Sequence, residues 1–452
     1  MGIRLPGATT GLFDPKIVEQ LIEVEKLPIE AAKKRKEAIV SERDEFIGVR
    51  DCVGELDTAL NAIKNTSDFY KLKVESSHPD IIDGTVEGVT TIGNYEFEVR
   101  GMARTEKELA YGFPDKDETP VGFGFMLIER DDNEDLEVVI EPGSTLQDVV
   151  TQINDTEAGV KAMVINTKYK PDPYRLLVIS EKSGEESKIR IDEDTTFLEF
   201  KEQVTGRNLD VLFEDVPVTD NDNILEDLVD NVVFNVRRSE PGTRVQVNIT
   251  YDIDATLESI SSFVEKYNDL ATYINSQYVI DPNTNKAGLL AGDSSTRTVM
   301  RRIQGAVVQA VNTGGKYSTL GEIGITTDPR SGNLEYNEAK VRQALAEDYD
   351  SVAALFVQRR NSIGVGARLA NAVRDLRDPQ GGALKTKVNT LDNIIRNQDR
   401  EIEQKERAME QKEESIKRRF ASLEGQLTGL KAQGDFLSQR FSGGQQGGGR
   451  SQ

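Results

Sequence analysis

One cysteine, one histidine and no tryptophan among 452 residues remove whole classes of chemistry. With Cys52 and His78 both single, neither an intramolecular disulfide nor a Cys/His zinc site can form. Cys52 falls beside Val53 in a helical segment, where a half-buried inert thiol is the expected role. Aromatic residues make up 6% of the chain, and without Trp a sugar-stacking platform is poorly supported. No stretch reaches the ~18 apolar residues of a membrane span, and the opening residues lack a signal-peptide core, so export would need a route that reads no such signal. Met1-Gly2 is not a myristoylation start, because Pro6 stands where Ser or Thr is needed.

Basic residues are outnumbered, 56 Lys and Arg against 78 Asp and Glu, and the net charge of -22 argues against a general electrostatic footprint for nucleic acid. By segment, residues 1–50 sum to 0, residues 51–300 to -27 and residues 301–452 to +5, together -22. The middle is an acidic, well-solvated body; the ends are balanced enough to pack against copies of themselves. The length suits two to four domains, and 37% hydrophobic residues suffice for ordinary cores.

What is present is a seven-residue apolar repeat near the C-terminus. Val388, Ile395, Ile402, Met409, Ile416, Leu423, Leu430 and Leu437 follow one another without a slip, the pattern of a coiled-coil seam roughly 70 Å long. The companion positions three residues on hold Leu391, Gln398, Lys405, Lys412, Arg419, Gln426 and Gln433, so the seam is half filled. A second strand is available near the N-terminus, where Ile39, Phe46, Val53 and Leu60 repeat at the same spacing with Val49, Leu56 and Ile63 between and after them. Either stripe alone also fits the buried face of a helix in a bundle.

Residues 1–15, rich in Gly, Pro and Thr, are expected to be disordered until bound. A helix should begin with Asp14 as cap and Pro15 in the first turn, be interrupted at Pro28, and be followed by a longer one to about Ile63. From Lys71 the period becomes alternating. Tyr95, Phe97 and Val99, the run Val121–Ile128, the segments 160–165, 176–179 and 189–191, and the alternation from Val245 to Ile253 read as strands, with a short helix between Gly143 and Ile153. Helix returns at Asp254, with a stripe of Leu257, Ile260, Val264, Tyr267, Ala271, Ile274 and Tyr278 ended by Asp281-Pro282-Asn283. Further helices are expected at 293–311, at 337–348 capped by Asn337, and at 362–377, with a hairpin about Asp328-Pro329-Arg330 and a long coil after Gly381-Gly382.

The fold class is therefore α+β: helical, coiled-coil terminal legs enclosing an inserted, mainly antiparallel β head of two domains. The expected divisions are an N-terminal export and coiled-coil segment at 1–40, a helical leg domain at 41–68 with 255–380, and a first β head domain at 69–110 with 214–254. A second β head domain occupies 111–213, a C-terminal coiled coil 381–441 and a disordered tail 442–452.

No catalytic, cofactor or metal residues are assigned. Asp220, Asp222 and Glu226 resemble a calcium loop at first, but Ile224, Leu225 and Asn231 stand where an EF-hand needs an oxygen ligand, Gly and Glu. The acidic runs Asp131–Asp135 and Asp192–Asp194 read as solvated loops. Gly315-Lys316 lacks the earlier Gly and following Ser or Thr of a phosphate-binding loop, and Gly364-Val365-Gly366 continues with Leu369 where the dinucleotide fingerprint needs Gly.

Several stretches, in order, resemble the flagellar filament cap family, FliD. They are Gly11-Leu12-Phe13-Asp14 with Ile17 to Leu21 and Glu25-Lys26-Leu27-Pro28, then Gly93-Asn94-Tyr95 with Val99 and Ala103. Later come Phe263-Val264 with Tyr267-Asn268, Gly288-Leu289-Leu290 with Gly292-Asp293, Leu320 to Ile325, Gly332-Asn333-Leu334 and Leu355-Phe356. Ser144-Thr145-Leu146, Ile153-Asn154, Gly159-Val160, Leu176 and Ser183-Gly184 are similar to the hook "IN" module of axial flagellar proteins. The stretches Tyr111–Pro120 and Asp131–Asp135 follow no family motif.

The resemblance implies a non-enzymatic protein secreted through the flagellar type III export apparatus, placed outside the cell at the filament tip. There it would promote insertion and folding of flagellin and prevent its loss. The implied partners are further copies of the chain in a ring-shaped homo-oligomer, flagellin, the hook-filament junction proteins and an export chaperone, with no nucleic acid and no membrane insertion. On this reading the two stripes are the protein-interface residues. Two alternatives stay open: another axial component, such as a hook-filament junction protein, or an unrelated stalked coiled-coil scaffold.

Overall fold

The computed structural model describes residues 15–130, 135–156, 159–281, 286–360, 362–378 and 380–442. The expectations for residues 1–14, for the run 131–134, for Pro282-Asn283 and for the tail beyond Ser442 lie outside the described residues. The helices described are α1 (Pro15–Asn61), α2 (Thr66–Phe69), α3 (Leu146–Asp155), α4 (Ile253–Ser276), α5 (Ser294–Val308), α6 (Glu338–Glu347), α7 (Tyr349–Phe356), α8 (Val365–Arg377) and α9 (Ala383–Ser442). Two compact units result, one from the chain up to Thr66 and from Leu257 onward, the other spanning Ser67–Thr256.

In the helical unit, α1 runs unbroken through Pro28, where a break was expected, and through the proposed division at residue 40. Proline removes one amide donor and crowds the preceding turn. Here Pro28 and Val24, whose carbonyl loses its partner, both sit on the exposed side, where water replaces the lost bond, while the adjacent Ile29 is buried. Continuous apolar contact on one face outweighs the local fault on the other.

The stripe of α4 from Leu257 to Ile274 is buried, but the helix stops at Ser276, so Tyr278 lies beyond it, and Ile253 opens the helix instead of closing a strand. Tyr267-Asn268 clamps the small hairpin formed by Ile325–Thr327 and Leu334–Tyr336. The Asn268 side chain donates to Leu334 O at 2.8 Å and accepts from Leu334 N at 2.7 Å, and Tyr267 Oη donates to Gly332 O at 3.2 Å. Burial pushes the Tyr267 phenol up to about 12. Asn337 caps α6 by accepting from Lys340 N. Helix α7 was not expected, and the reason is physical: every residue of it that has a face is buried except Asp350, so it has no amphipathic period to read.

The second unit contains β1 (Leu72–Ser76), β2 (Ile82–Val86), β3 (Gly93–Gly101), β4 (Lys107–Ala110), β5 (Gly122–Arg130), β6 (Leu136–Ile140), β7 (Val160–Asn166), β8 (Tyr174–Ser180), β9 (Ile189–Thr196), β10 (Phe200–Val204), β11 (Leu209–Phe213), β12 (Val216–Asp220), β13 (Ile224–Val229), β14 (Val232–Val236) and β15 (Val245–Tyr251). They form sheets in the orders β1-β15-β3-β11-β12, β13-β14-β2, β10-β4-β8-β7 and β6-β5-β9, with every described pairing of these strands antiparallel.

Two separate hydrophobic clusters fill this unit. One joins Phe97, Val99, Val211, Phe234 and Val247; the other joins Met126, Ile128, Leu146, Val149, Leu176 and Val178. Helix α3 starts with a reciprocal cap between Thr145 and Asp148, and Asn154 near its end bonds both the amide and the carbonyl of Ala162 in β7 at 2.8 and 2.9 Å.

The boundaries between the two β bodies differ from those expected. β4 was assigned to the first body and β11 to the second. Yet β4 pairs with β8 and β10 around the second cluster, and β11 pairs with β3 around the first. The chain passes between bodies at a double crossing, where Arg104 and Arg207 exchange backbone hydrogen bonds of 2.9 and 3.2 Å and the Gly206 amide donates to the buried Glu106 carboxylate. No composition change marks that crossing, because both segments continue directly into strands.

Candidate assembly interface

The C-terminal stripe finds its partner within the chain over half its length. α1 and α9 run antiparallel: stepping down one helix, Glu25 pairs with Lys412 at 2.5 Å, Lys33 with Glu406 at 2.6 Å, Lys36 with Asp399 at 2.6 Å and Arg43 with Asp392 at 3.5 Å. Between them Ile22, Ile29 and Ala32 pack against Ile402 and Met409, with Val18 at the margin. Burying each large side chain contributes about 1.5–3 kcal/mol, whereas exposed ion pairs add at most about 1 kcal/mol each, so the apolar contacts hold the pair and the charges set its register.

This resolves the half-filled appearance of the seam. Its polar companion Lys412 meets Glu25, and on α1 Lys36 and Arg43 fall between Ala32, Ile39 and Phe46, a spacing of seven that extends the N-terminal repeat upstream. Lys412 thus meets a charged residue of the other helix, whereas Lys405 pairs with Glu401 of α9 itself. Ile22, Ile29 and Ala32 were missed in the sequence, although their spacings of seven and three carry the signal, because Pro28 argued for a break. Gln398 remains imperfect: its Nε2 donates to Glu401, but its buried Oε1 has no hydrogen-bond partner among the described residues.

Phe46, Val53 and Leu60 are fully buried and Ile39 partly so, inside the helical unit. Lys387 of α9 lies 5.1 Å over the Phe46 ring and bonds Glu42 at 3.1 Å and Asp293 at 2.7 Å, joining α1, α5 and α9. Burial alone would raise the Asp293 carboxyl, but Lys387 and the Ser295 amide and hydroxyl hold it below its usual value. Further along α1, Asp57 is paired with Arg377 of α8 at 2.5 Å. Cys52 is half-buried on this stretch, and burial, reinforced by Glu55, pushes its thiol up, away from reactivity.

Toward the end of α9 the burial ends. Val388, Ile395, Ile402 and Met409 are buried and Ile416 is partly covered, but Leu423, Leu430 and Leu437 are exposed. Every described residue of α1 is by then used, since its first described residue is Pro15. The structure thus brings eight predicted residues together within one chain and leaves three apolar side chains of the same stripe in solvent.

Other candidate chemistry resolves into turns. Asp220 accepts from the Asp222 amide and Asp222 from the Ile224 amide, so the calcium-loop look-alike links β12 to β13. Among the described residues no group of three or more His, Cys, Asp or Glu side chains is placed to hold a metal ion, and no helix is long and apolar enough to cross a membrane.

Known proteins agree with a chain built around its two helical ends. The profile described as "Flagellar hook-associated protein 2 C-terminus" matches residues 206–432, and that of the N-terminus matches residues 11–106. The chain belongs to the flagellar hook-associated protein 2 family. Relatives of that name include the B-type protein of Pseudomonas aeruginosa, 23% identical over 78% of this chain and 79% of the relative, and the Escherichia coli protein, 22% identical over 79% and 81%. A crystal structure of the D1-D2-D3 domains of the Escherichia coli flagellar cap protein FliD has a TM-score of 0.60 at 22% identity, covering 77% of this chain and 99% of that one. The flagellar hook-associated protein 2 family therefore supplies the fold, with its helices and mainly antiparallel sheets.

Proposed function

We propose that this chain is a structural cap at the distal end of the bacterial flagellar filament, outside the cell, where it promotes insertion and folding of exported flagellin and prevents its loss. What supports the reading is the family match at both ends of the chain, over 11–106 and 206–432. The exposed end of the α9 stripe supplies a physical means: a helix presenting Leu423, Leu430 and Leu437 to solvent is poised to complete its seam on another chain. On this reading Val388, Ile395, Ile402 and Met409 build the helical unit, while Ile416 to Leu437 engage flagellin or a neighbouring copy in a ring-shaped homo-oligomer.

The protein acts by contact and carries no catalytic function. It passes through the flagellar type III export apparatus, with a chaperone covering the apolar end of α9 beforehand, and its path to the tip leads past the hook-filament junction proteins. Electron microscopy of a deletion strain tests the role: short or absent filaments with flagellin lost to the medium are expected, and normal filaments would refute it. A hook-filament junction role predicts instead filaments that detach at their base.

A further inference from the structure

The two β bodies share one ribbon. Gly101 of β3 pairs with Asp210 of β11, Arg104 with Arg207, and Lys107 of β4 with Val204 of β10, all in the same antiparallel register. Each end of this ribbon widens into a sheet with its own hydrophobic cluster, and between them it narrows to two strands. Two-stranded ribbons twist over a wider range than sheets, and bodies with separate cores move against each other unless a further contact stops them.

Such a contact is present. The turn after β8, residues 181–187, belongs to the second body, yet its tip reaches the ribbon and the first body. The Gly184 amide donates to Arg104 O at 3.2 Å, the carbonyl that also accepts from the Arg207 amide, and the Glu185 amide donates to Asn208 Oδ1 at 2.7 Å. Gly184 is buried at φ +107°, and a Cβ there would lie 2.9 Å from Asn208 Oδ1 and 3.1 Å from both Cβ and O of Asn221, in the turn between β12 and β13. Backbone and space both demand glycine. Gly206 backs the tip: a Cβ on it would lie 2.9 Å from Gly184 O and 3.0 Å from the Glu106 carboxylate oxygen that accepts the Gly206 amide. Two buried serines hold the turn in shape, Ser180 donating to Lys182 O at 2.8 Å and Ser187 to Ser183 O at 3.1 Å. On the opposite side Asn223 fastens the β12–β13 turn to the ribbon, accepting from Ala103 N at 2.8 Å and donating to Ala103 O at 3.1 Å. A stretch similar to the "IN" module, Ser183-Gly184, thus meets the calcium-loop look-alike, and neither enters the assembly interface.

We propose that the Gly184 turn is a latch that fixes the angle between the two β bodies, with the ribbon around Arg104 and Arg207 as the hinge. Seated between Asn208 and Asn221, the tip stops the ribbon from twisting; lifted, it leaves both cores intact and the bodies free to turn. The seat is made of hydrogen bonds and backbone fit, terms small enough for one substitution to shift the balance between the two forms. The latch belongs to the β unit by itself and does not rest on the cap role.

Pulsed electron double resonance on the full chain tests the latch, in a Cys52→Ser background with spin labels at Thr85→Cys on β2 and Val139→Cys on β6, both exposed. The distribution of label distances should become at least about twice as broad with Gly184→Val, and broader to a lesser degree with Asn208→Ala, which removes the bond to the Glu185 amide. Gly242→Val is the control: it shares the left-handed backbone, at φ +86°, with nothing within 4 Å of its Cβ, and should leave the distribution unchanged. Hydrogen exchange should find β3 and β8 as protected as in the parent, showing that the bodies turn without unfolding. Where Gly184→Val unsettles β8, Asn208→Ala carries the test by itself. An unchanged distribution with Asn208→Ala, equal broadening with Gly242→Val, or lost protection of β8 with Asn208→Ala would each overturn the latch.

Discussion

Val388, Ile395, Ile402 and Met409 are 7–8% exposed, whereas Leu423, Leu430 and Leu437, at the same spacing on the same helix, are 45–64% exposed. Both groups keep apolar residues at every seventh position, although Gly425, Gly429 and Gly434 fall only among the second. Helix α1 packs Ile22, Ile29 and Ala32 on Ile402 and Met409, whereas the second group stands exposed beyond the described part of α1. A heptad repeat thus states that a stripe will be covered, and the length of the antiparallel partner decides how much of it is covered at home.

The comparison breaks most severely with Ile402→Asp. A carboxylate facing Ile29 and Ala32 without a partner should cost about 3–5 kcal/mol and release the α1–α9 pair, read as lost amide protection along both helices in hydrogen exchange, with the β unit unaffected. Retained protection would show that the charged register pairs hold the helices by themselves.

At the base of the pair, Asp293→Ala removes both the cap of α5 and the anchor of Lys387, and should cost about 1–2 kcal/mol by urea unfolding. The Asp293 carboxyl is held below its usual value in the folded state. Its stabilisation is therefore complete above the unfolded value of about 4 and lost as pH falls through the folded one. The gap between wild type and variant should narrow in acid; a gap that widens there would contradict the assignment.

Gln398→Leu fills a polar gap within the covered half, removing an unpaired buried oxygen, and should stabilise by about 0.5–1 kcal/mol in the same assay. The smallest effect on the isolated chain belongs to Leu430→Asp in the uncovered half, within about 0.5 kcal/mol. That variant should nevertheless lose filament capping, and wild-type capping would remove the distal stripe from the interface.

The long helices, the alternating strands β3 and β15 and the Asn337 cap were legible because each carries a local signal: a period, or a capping residue. α7 was illegible because burial on all sides erases periodicity, and the course of α1 because a proline rule was applied without knowing which face Pro28 would occupy. The exchange of β4 and β11 between the two β bodies is a matter of pairing partners, which strand composition does not encode. For the interface, the stripe itself was visible residue by residue. Which half of it faces solvent depends on the antiparallel register, fixed by pairs such as Glu25–Lys412 that are remote in sequence.

That register leaves the distal part of α9 as an arm. At about 1.5 Å per residue, the part of α9 beyond Ile416 extends roughly 40 Å past its last covered residue, beyond the described part of α1. Polar substitutions at Ile22 and Ile29 of α1 would uncover Met409 and lengthen the free arm without touching a residue of it. The reach of the C-terminal helix is thus adjustable from residues of α1 that lie far from it in sequence.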